Sequence, residues 1–372
     1  MNTLSSLQAQ NLMVLGFSFV LALWAGVLIH RRHFCTMGAL SDLFLMGDSL
    51  RLRQWVLAIA VAVAGFGGMT ALGWISPLNT IYAAPRLSWL SLLLGGSLFG
   101  AGMVLSSGCA SKSLSRLGAG NLKSLVVLMA MGMAALASLR GLLAVGRVNW
   151  LDPVSLPLPG GPFVGQALSA VTGWSLPLAC GVSAAVVCAL LLIWVFQEPL
   201  MRQRQALLTG AGMGAVVVAL WWVSGVLGFV PEHPETLESV FLTTSSGRME
   251  ALSLTAPVAQ WWDALLYFSD GSKRITLGMA TAAGILLGSW GSALQDGSFR
   301  WEGFTQTSDL ALHLLGGTLM GVGGVMAMGC TFGQGLSGLS TLNWGSALAV
   351  LGIAAGARLA LAWQMARAES MA

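Results

Sequence analysis

The chain has 372 residues, of which 56% are hydrophobic and only 9% charged, and its mean hydropathy is +0.78. A soluble domain carries roughly 25% charged residues, so this composition excludes a water-soluble enzyme or binding module and predicts an all-α integral membrane protein. The eighteen basic and fourteen acidic residues give a net charge of +4, which in a chain whose first partner is the lipid bilayer means positive cytoplasmic loops rather than a nucleic-acid partner.

A span needs about 20 mostly apolar residues. Nine stretches qualify: 12–30, 55–76, 89–107, 124–145, 176–196, 206–229, 275–294, 309–328 and 345–365. Residues 1–10 carry no cleavable leader pattern, so the first stretch is expected to remain as a span. Arg31, Arg32 and His33 close it, and Pro77, Asn79 and Pro85 separate the second from the third. The run of Asp152, Pro153, Pro157, Pro159 and Pro162 divides the chain into halves of about 12–150 and 175–366, expected to form one transmembrane transport domain over 1–372. Residues 231–272 form the longest non-spanning region, acidic at Glu232, Glu235, Glu238, Glu250, Asp263 and Asp270. Arg202 and Arg204 place the start of the sixth span inside, whereas Lys273 and Arg274 would then lie outside. Either Leu252–Phe268 dips into the bilayer or the rule is weakly obeyed, and orientation stays open.

The third and eighth spans repeat one another. Leu93 to Cys109 reads LLGGSLFGAGMVLSSGC, Leu314 to Cys330 reads LLGGTLMGVGGVMAMGC, and ten of seventeen positions are identical at an offset of 221. The copies lie five spans apart, an odd number, so they are expected to cross in opposite directions as inverted, pseudo-symmetric halves with the working site between them. A competing echo, Arg51-Leu-Arg53-Gln54 with Arg202-Gln-Arg204-Gln205, is four spans apart and would imply a parallel repeat. Gly96, Gly100, Gly317 and Gly321 fall at small-xxx-small spacing, which close helix packing alone explains.

Each copy ends in Gly-Cys, followed by about ten small and polar residues and then Asn121 or Asn343. These segments are too short to cross and too apolar for ordinary loops, so they are expected to be re-entrant half-helices, allowed only where they are buried in protein or line a cavity. The glycine before each cysteine is expected to supply the sharp turn. A third segment of the same design follows the first span, RRHFCTMGALSD, around Cys35. Cys35, Cys109 and Cys330 would then open short helices, where free N–H groups and the helix dipole favour an anion. Arg31, Arg32, Lys112 and Arg116 add positive charge to attract one. Cys180 and Cys188 sit in a plain apolar pattern and read as small buried hydrophobes. No spacing suggests a metal site, and no cofactor is expected. Asp42, Asp296 and Asp309 read as interfacial, and His313 as either a helix-contact residue or part of a path.

These three motifs, in this order and over about residues 12 to 360, resemble the YeeE/YedE family of sulfur-compound membrane transporters. The resemblance implies a multi-pass protein of the bacterial inner membrane that is not an enzyme, with short helices reaching the membrane middle. It implies uptake of a sulfur anion, above all thiosulfate, handed along a narrow path by thiol–sulfur hydrogen bonds. Carried onto this chain, the path residues are Cys35, Cys109 and Cys330, with Cys109 in the central motif. A cytosolic TusA-like sulfur-carrier protein is the partner the resemblance suggests. Lys112 departs from the family, which often has glycine there, and some relatives belong to selenium metabolism, so another sulfur or selenium compound stays open. A membrane thiol oxidoreductase is the rival from another class, because the three cysteines could meet in space.

Overall fold

A computed structural model describes residues 2–234, 237–270 and 274–370, with side chains from residue 7 onward. Glu235 and Lys273, used in the charge reading above, lie outside the described residues. In chain order the helices are α1 (Asn2–Arg32), α2 (Thr36–Ser41), α3 (Leu50–Ala71), α4 (Trp89–Leu105), α5 (Ala110–Gly118), α6 (Leu122–Arg140), α7 (Leu142–Gly146), α8 (Val164–Thr172), α9 (Leu176–Phe196), α10 (Arg204–Trp222), α11 (Thr255–Leu266), α12 (Leu277–Gln295), α13 (Thr307–Met326) and α14 (Trp344–Glu369). Among the described residues, nine segments built on α1, α3, α4, α6, α9, α10, α12, α13 and α14 are long and apolar enough to cross a membrane, one for each expected stretch. Sheet is confined to two short antiparallel pairs, Arg86–Leu87 with Leu156–Pro157 and Phe229–Val230 with Val240–Phe241.

The glycines of the repeated stretch show how the two copies sit. A methyl group added at Gly95 would come within 2.8 Å of Gly323 O, and one at Gly102 within 2.6 Å of Gly316 O. Moving up α4 therefore means moving down α13, so the two helices are antiparallel. The flanking packing repeats as well. Gly96 lies against Ala349 and Gly100 against Ile353 and Ala357, while Gly317 lies against Val127 and Gly321 against Met131 and Ala135. At an offset of 221 for the first partner and 222 for the second, these are the same contacts. Spans in lipid gain little from apolar burial against one another, so close backbone approach at glycine supplies dispersion contact in its place.

Helix directions define two faces. Arg31, at the end of α1, bonds Ser292 and Gln295 at the end of α12, so these helices run alongside in one direction. The face they reach also holds the starts of α3, α6 and α10, and so gathers Arg51, Arg53, Lys123, Arg202 and Arg204. The opposite face holds Asp152 and the region after α10 with Glu232, Glu238 and Glu250. Three ion pairs, Arg31–Asp296 (3.2 Å), Arg51–Asp42 (3.3 Å) and Lys123–Asp309 (2.7 Å), lie at span ends on the basic face. At this exposure each is worth about 0–1 kcal/mol. His313 Nδ1 meets Asp309 O at 2.8 Å, and its ring meets Phe304 edge-on, so it is a helix-contact residue.

The stretch around Leu252–Phe268 does enter the protein. Both α10 before it and α12 after it meet the acidic face, and α11 between them buries Thr255, Pro257, Val258 and Ala259 while Leu265 and Leu266 are exposed. It packs on α6, α12 and α13. Arg274 therefore stays on the acidic face without adding a span.

Candidate thiol path

The three cysteine segments share one backbone device. His33, Ser107 and Met328, each two residues before a cysteine, have φ of 52°, 55° and 56°. A non-glycine residue in this left-handed region costs of order 1 kcal/mol or more and persists where its surroundings hold it. At Cys109 the sharp turn is thus made by Ser107 and not by Gly108, which corrects the expectation there, whereas at Cys330 Gly329, with φ 157°, shares the turn with Met328. The absent side chain at Gly108 serves packing, since a methyl there would touch the Lys112 Cβ and Cγ at 3.4 Å. Arg116 Nη1 donates to Ser107 O at 2.7 Å and ties down the strained turn.

After each turn a half-helix starts on the cysteine. Ala39 N bonds Cys35 O (3.0 Å), Ser113 N bonds Cys109 O (2.9 Å) and Gln334 N bonds Cys330 O (2.8 Å). The helices that follow are α2, α5 and a helical stretch over 331–340, π-wound at Gly333–Gly338. A π-turn inside a helix is often found at functional sites. The two Gly-Cys segments hand over alike: Asn121 caps α6 by accepting from Ser124 N, and Asn343 caps α14 by accepting from Ser346 N, both at 3.0 Å. A fourth half-helix is α11 itself, the dip left open above for Leu252–Phe268. Val258 N bonds Leu254 O at 3.1 Å, so α11 begins on Leu254 as the others begin on cysteine.

These four starts meet in two pairs. The Cys35 and Cys109 thiols lie close to each other, and Cys109 Sγ is 3.1 Å from Ser111 Oγ. The Cys330 sulfur accepts from Gly333 N at 3.5 Å and faces the backbone N–H groups of Leu254 and Phe332. Phe34 and Phe332 join the pairs by an edge-to-face contact at 6.0 Å. Cys109 and Cys330 are wholly buried, and Cys35 is half-buried.

Of the four basic residues singled out, the structure sets two at the thiols. Lys112 lies beside Cys35 and Cys109, with Arg51 and Arg116 near it, and pairs with no carboxylate among the described residues. Arg116 stands behind it, bound to the Ser107 turn. Arg31 is occupied by Ser292, Gln295 and Asp296, and Arg32 is exposed at the end of α1; neither reaches the thiols. Cys180 and Cys188 lie on α9, remote from the cluster, and Cys180 packs against Gly165.

On the acidic face a cavity of about 260 Å³ is lined by Tyr82, Arg147, Glu250, Ser253, Met328 and Gly329. It ends one residue from Cys330. Tyr82 donates its hydroxyl to Gly333 O, and burial pushes its phenol well above the ordinary range, so it remains a neutral donor. Tyr82 lies in a loop between spans, where no pattern singles it out. Among the described residues no group of three His, Cys, Asp or Glu could hold a metal ion.

The chain is 26% identical over 327 residues to the thiosulfate transporter TsuA of Escherichia coli K12, covering 86% of each chain. It is 27% identical to the thiosulfate transporter TsuA of Spirochaeta thermophila, covering 91% of this chain and 93% of the relative. A shorter match, 29% identical over 28% of this chain and 24% of the relative, is to the probable transporter YedE of Escherichia coli K12. The Sulphur transport family model matches residues 31–359, and the chain, a multi-pass membrane protein of nine span-forming helices, belongs to that family.

Proposed function

We propose that this protein takes up a sulfur-containing anion, thiosulfate first among them, across a bacterial inner membrane, through one transport domain over 1–372 whose inverted repeats run over about 12–150 and 175–366. One observation carries the reading: three cysteines from distant segments converge between the halves, with a cavity at one end and an unpaired lysine at the other. An anion entering at the acidic-face cavity meets Cys330, then the Cys109 and Cys35 pair, then Lys112. The basic face is the cytoplasmic one by the positive-inside rule. Thiols suit this work because they are polarizable and only weak donors. Weak sites in series let an anion enter and leave again. Lys112 then draws a dianion toward the cytoplasm, where a TusA-like sulfur carrier is a fitting acceptor.

The test is uptake of labelled thiosulfate into proteoliposomes, with sulfate, sulfite and selenite as competitors. The reading expects saturable uptake that Cys109→Ala abolishes; uptake unchanged after replacement of all three cysteines would overturn it. The contact between Cys35 and Cys109 also favours a second reading, a thiol oxidoreductase cycling between dithiol and disulfide. Alkylation and mass analysis under oxidising conditions separate the two, since only the oxidoreductase needs a reversible disulfide for its activity.

A further inference from the structure

The path holds a polar group that the thiol account does not use. Thr331 follows Cys330 directly, is 2% exposed, and its hydroxyl has no partner beyond a weak contact with the Cys109 sulfur. It lies beside the Cys109 sulfur. One residue thus bridges the two wholly buried thiols, chained to one and facing the other.

An unpaired hydroxyl there is costly. Leaving a buried donor unsatisfied costs about 1–3 kcal/mol; Thr36 and Thr255, at the same place in two of the other half-helices, are also left so, while many buried hydroxyls of this chain avoid it by bonding a carbonyl one turn back. Thr70 bonds Phe66 O, Thr281 bonds Gly278 O and Thr341 bonds Gly338 O. Thr331 has no carbonyl one turn back, because Met328 in the left-handed region and the extended approach to Cys330 turn the chain away. Its hydroxyl hydrogen is left to whatever passes between Cys330 and Cys109.

We propose that Thr331 is a specificity-determining residue for the anion at the handover between Cys330 and Cys109, donating its hydroxyl to an oxygen of the anion while the thiols hold the sulfur. The proposal rests on the transport reading above and narrows its substrate class. Thiols favour a soft, weakly hydrated terminal sulfur, and a hydroxyl favours a hard oxygen. A site that presents both within one residue fits an anion carrying a terminal sulfur and sulfonyl oxygens on the same centre. An anion with oxygens alone leaves the thiols poorly matched, and one with sulfur alone leaves Thr331 unpaired. Rejection through an unpaired buried group is the strong kind of discrimination. Thr331 is a binding residue and takes part in no bond making.

The test uses the full-length protein in proteoliposomes with labelled thiosulfate. Thr331→Val keeps the side-chain shape and removes the hydroxyl. It is expected to raise the KM for thiosulfate roughly tenfold to a hundredfold, the range for losing a hydrogen bond to a charged group. Thr331→Ser restores the hydroxyl and is expected to hold the KM within about threefold of the parent, an outcome that a shape-only role would not give. Thr331→Ala replaces the valine variant if the latter does not reach the membrane in monodisperse form. A parental KM in a well-assembled hydroxyl-free variant overturns the proposal, as does equal loss in Thr331→Ser and Thr331→Val. Failure of the parent protein to take up thiosulfate at all overturns the transport reading instead, so the two failures are distinguishable.

Discussion

The two ends of the thiol path are built on one plan and finished differently. On the basic side, the half-helix starts at Cys35 and Cys109 bring two thiols together, with Ser111 and Lys112 beside them. On the acidic side, the starts at Leu254 and Cys330 bring one thiol against a leucine and backbone N–H groups, with an open cavity and, among the described residues, no lysine beside them. The backbone geometry that repeats is the part fixed by the inverted packing of α4 on α13. The side chains that differ are those an anion would meet. The fold therefore supplies four equivalent positions, and on the transport reading proposed above the chemistry at each would give the path its direction.

The largest expected effect comes from the thiol that both sides share. Cys109 touches Cys35, Ser111 and Thr331, whereas Cys330 has mainly backbone donors for company. Cys109→Ala is expected to cut thiosulfate uptake by about a hundredfold or more and Cys330→Ala by about tenfold, the cost of one charge-assisted hydrogen bond at a site with substitutes. Initial uptake rates at matched protein density measure both. Equal losses would mean that the two ends contribute alike.

Lys112 comes next. A half-buried cation a few ångströms from a dianion is attracted by a few kcal/mol before desolvation. Lys112→Met, which keeps the stem over Gly108, is expected to raise the KM about tenfold and to flatten its dependence on ionic strength. Arg31→Ala should leave the KM within about twofold, because Asp296 already holds that charge. A larger effect at Arg31 would put the anion's exit elsewhere on the basic face.

Much of this architecture is legible in the sequence, for physical reasons that also explain what was missed. A continuous apolar run of about 20 residues pairs its own backbone without water only as a helix; hence nine expected spans and, among the described residues, nine apolar helices long enough to cross. The Gly-Cys copies are legible because backbone-to-backbone packing tolerates only glycine, so the pattern persists on both sides. The left-handed turns at His33, Ser107 and Met328 are not legible, because Ser and Met carry no preference for that conformation and a single His marks it only weakly. The fourth half-helix was legible only through charge, as the dip of Leu252–Phe268 that Arg274 left open; Leu254 has no thiol to mark where it starts. Arg31 and Arg32 were favoured by proximity in sequence to Cys35, but α1 carries them toward α12 and its end.

The packing half of the comparison can be tested apart from the chemistry. Gly100→Ala and Gly321→Ala each press a methyl into a facing backbone carbonyl, of Ile353 and of Met131. Overpacking of this kind costs about 1–3 kcal/mol, and both variants are expected to lower the thermal midpoint in detergent by similar amounts. A large effect at one and none at the other would show that the halves bear load unequally.

The smallest expected effect is the most discriminating, because it asks whether the asymmetry matters at all. Leu254 is fully buried, so Leu254→Cys gives up about 1–2 kcal/mol of packing and sets a second thiol against Cys330. Since the Cys109 end and Lys112 are untouched, uptake is expected to stay within about threefold of the parent. Mild oxidation should then form a new disulfide to Cys330, found by mass analysis of peptides. The complementary change, Cys35→Leu, imposes the acidic-side finish on the basic side and is expected to reduce uptake several-fold more than Leu254→Cys. Joining the two moves the thiol pair to the other end of the path while conserving composition and backbone. If only the number of thiols mattered, the double variant would regain parental uptake. If the pair must sit beside Lys112 to release the anion toward the basic face, the double variant stays as impaired as Cys35→Leu alone, and that is the outcome expected here.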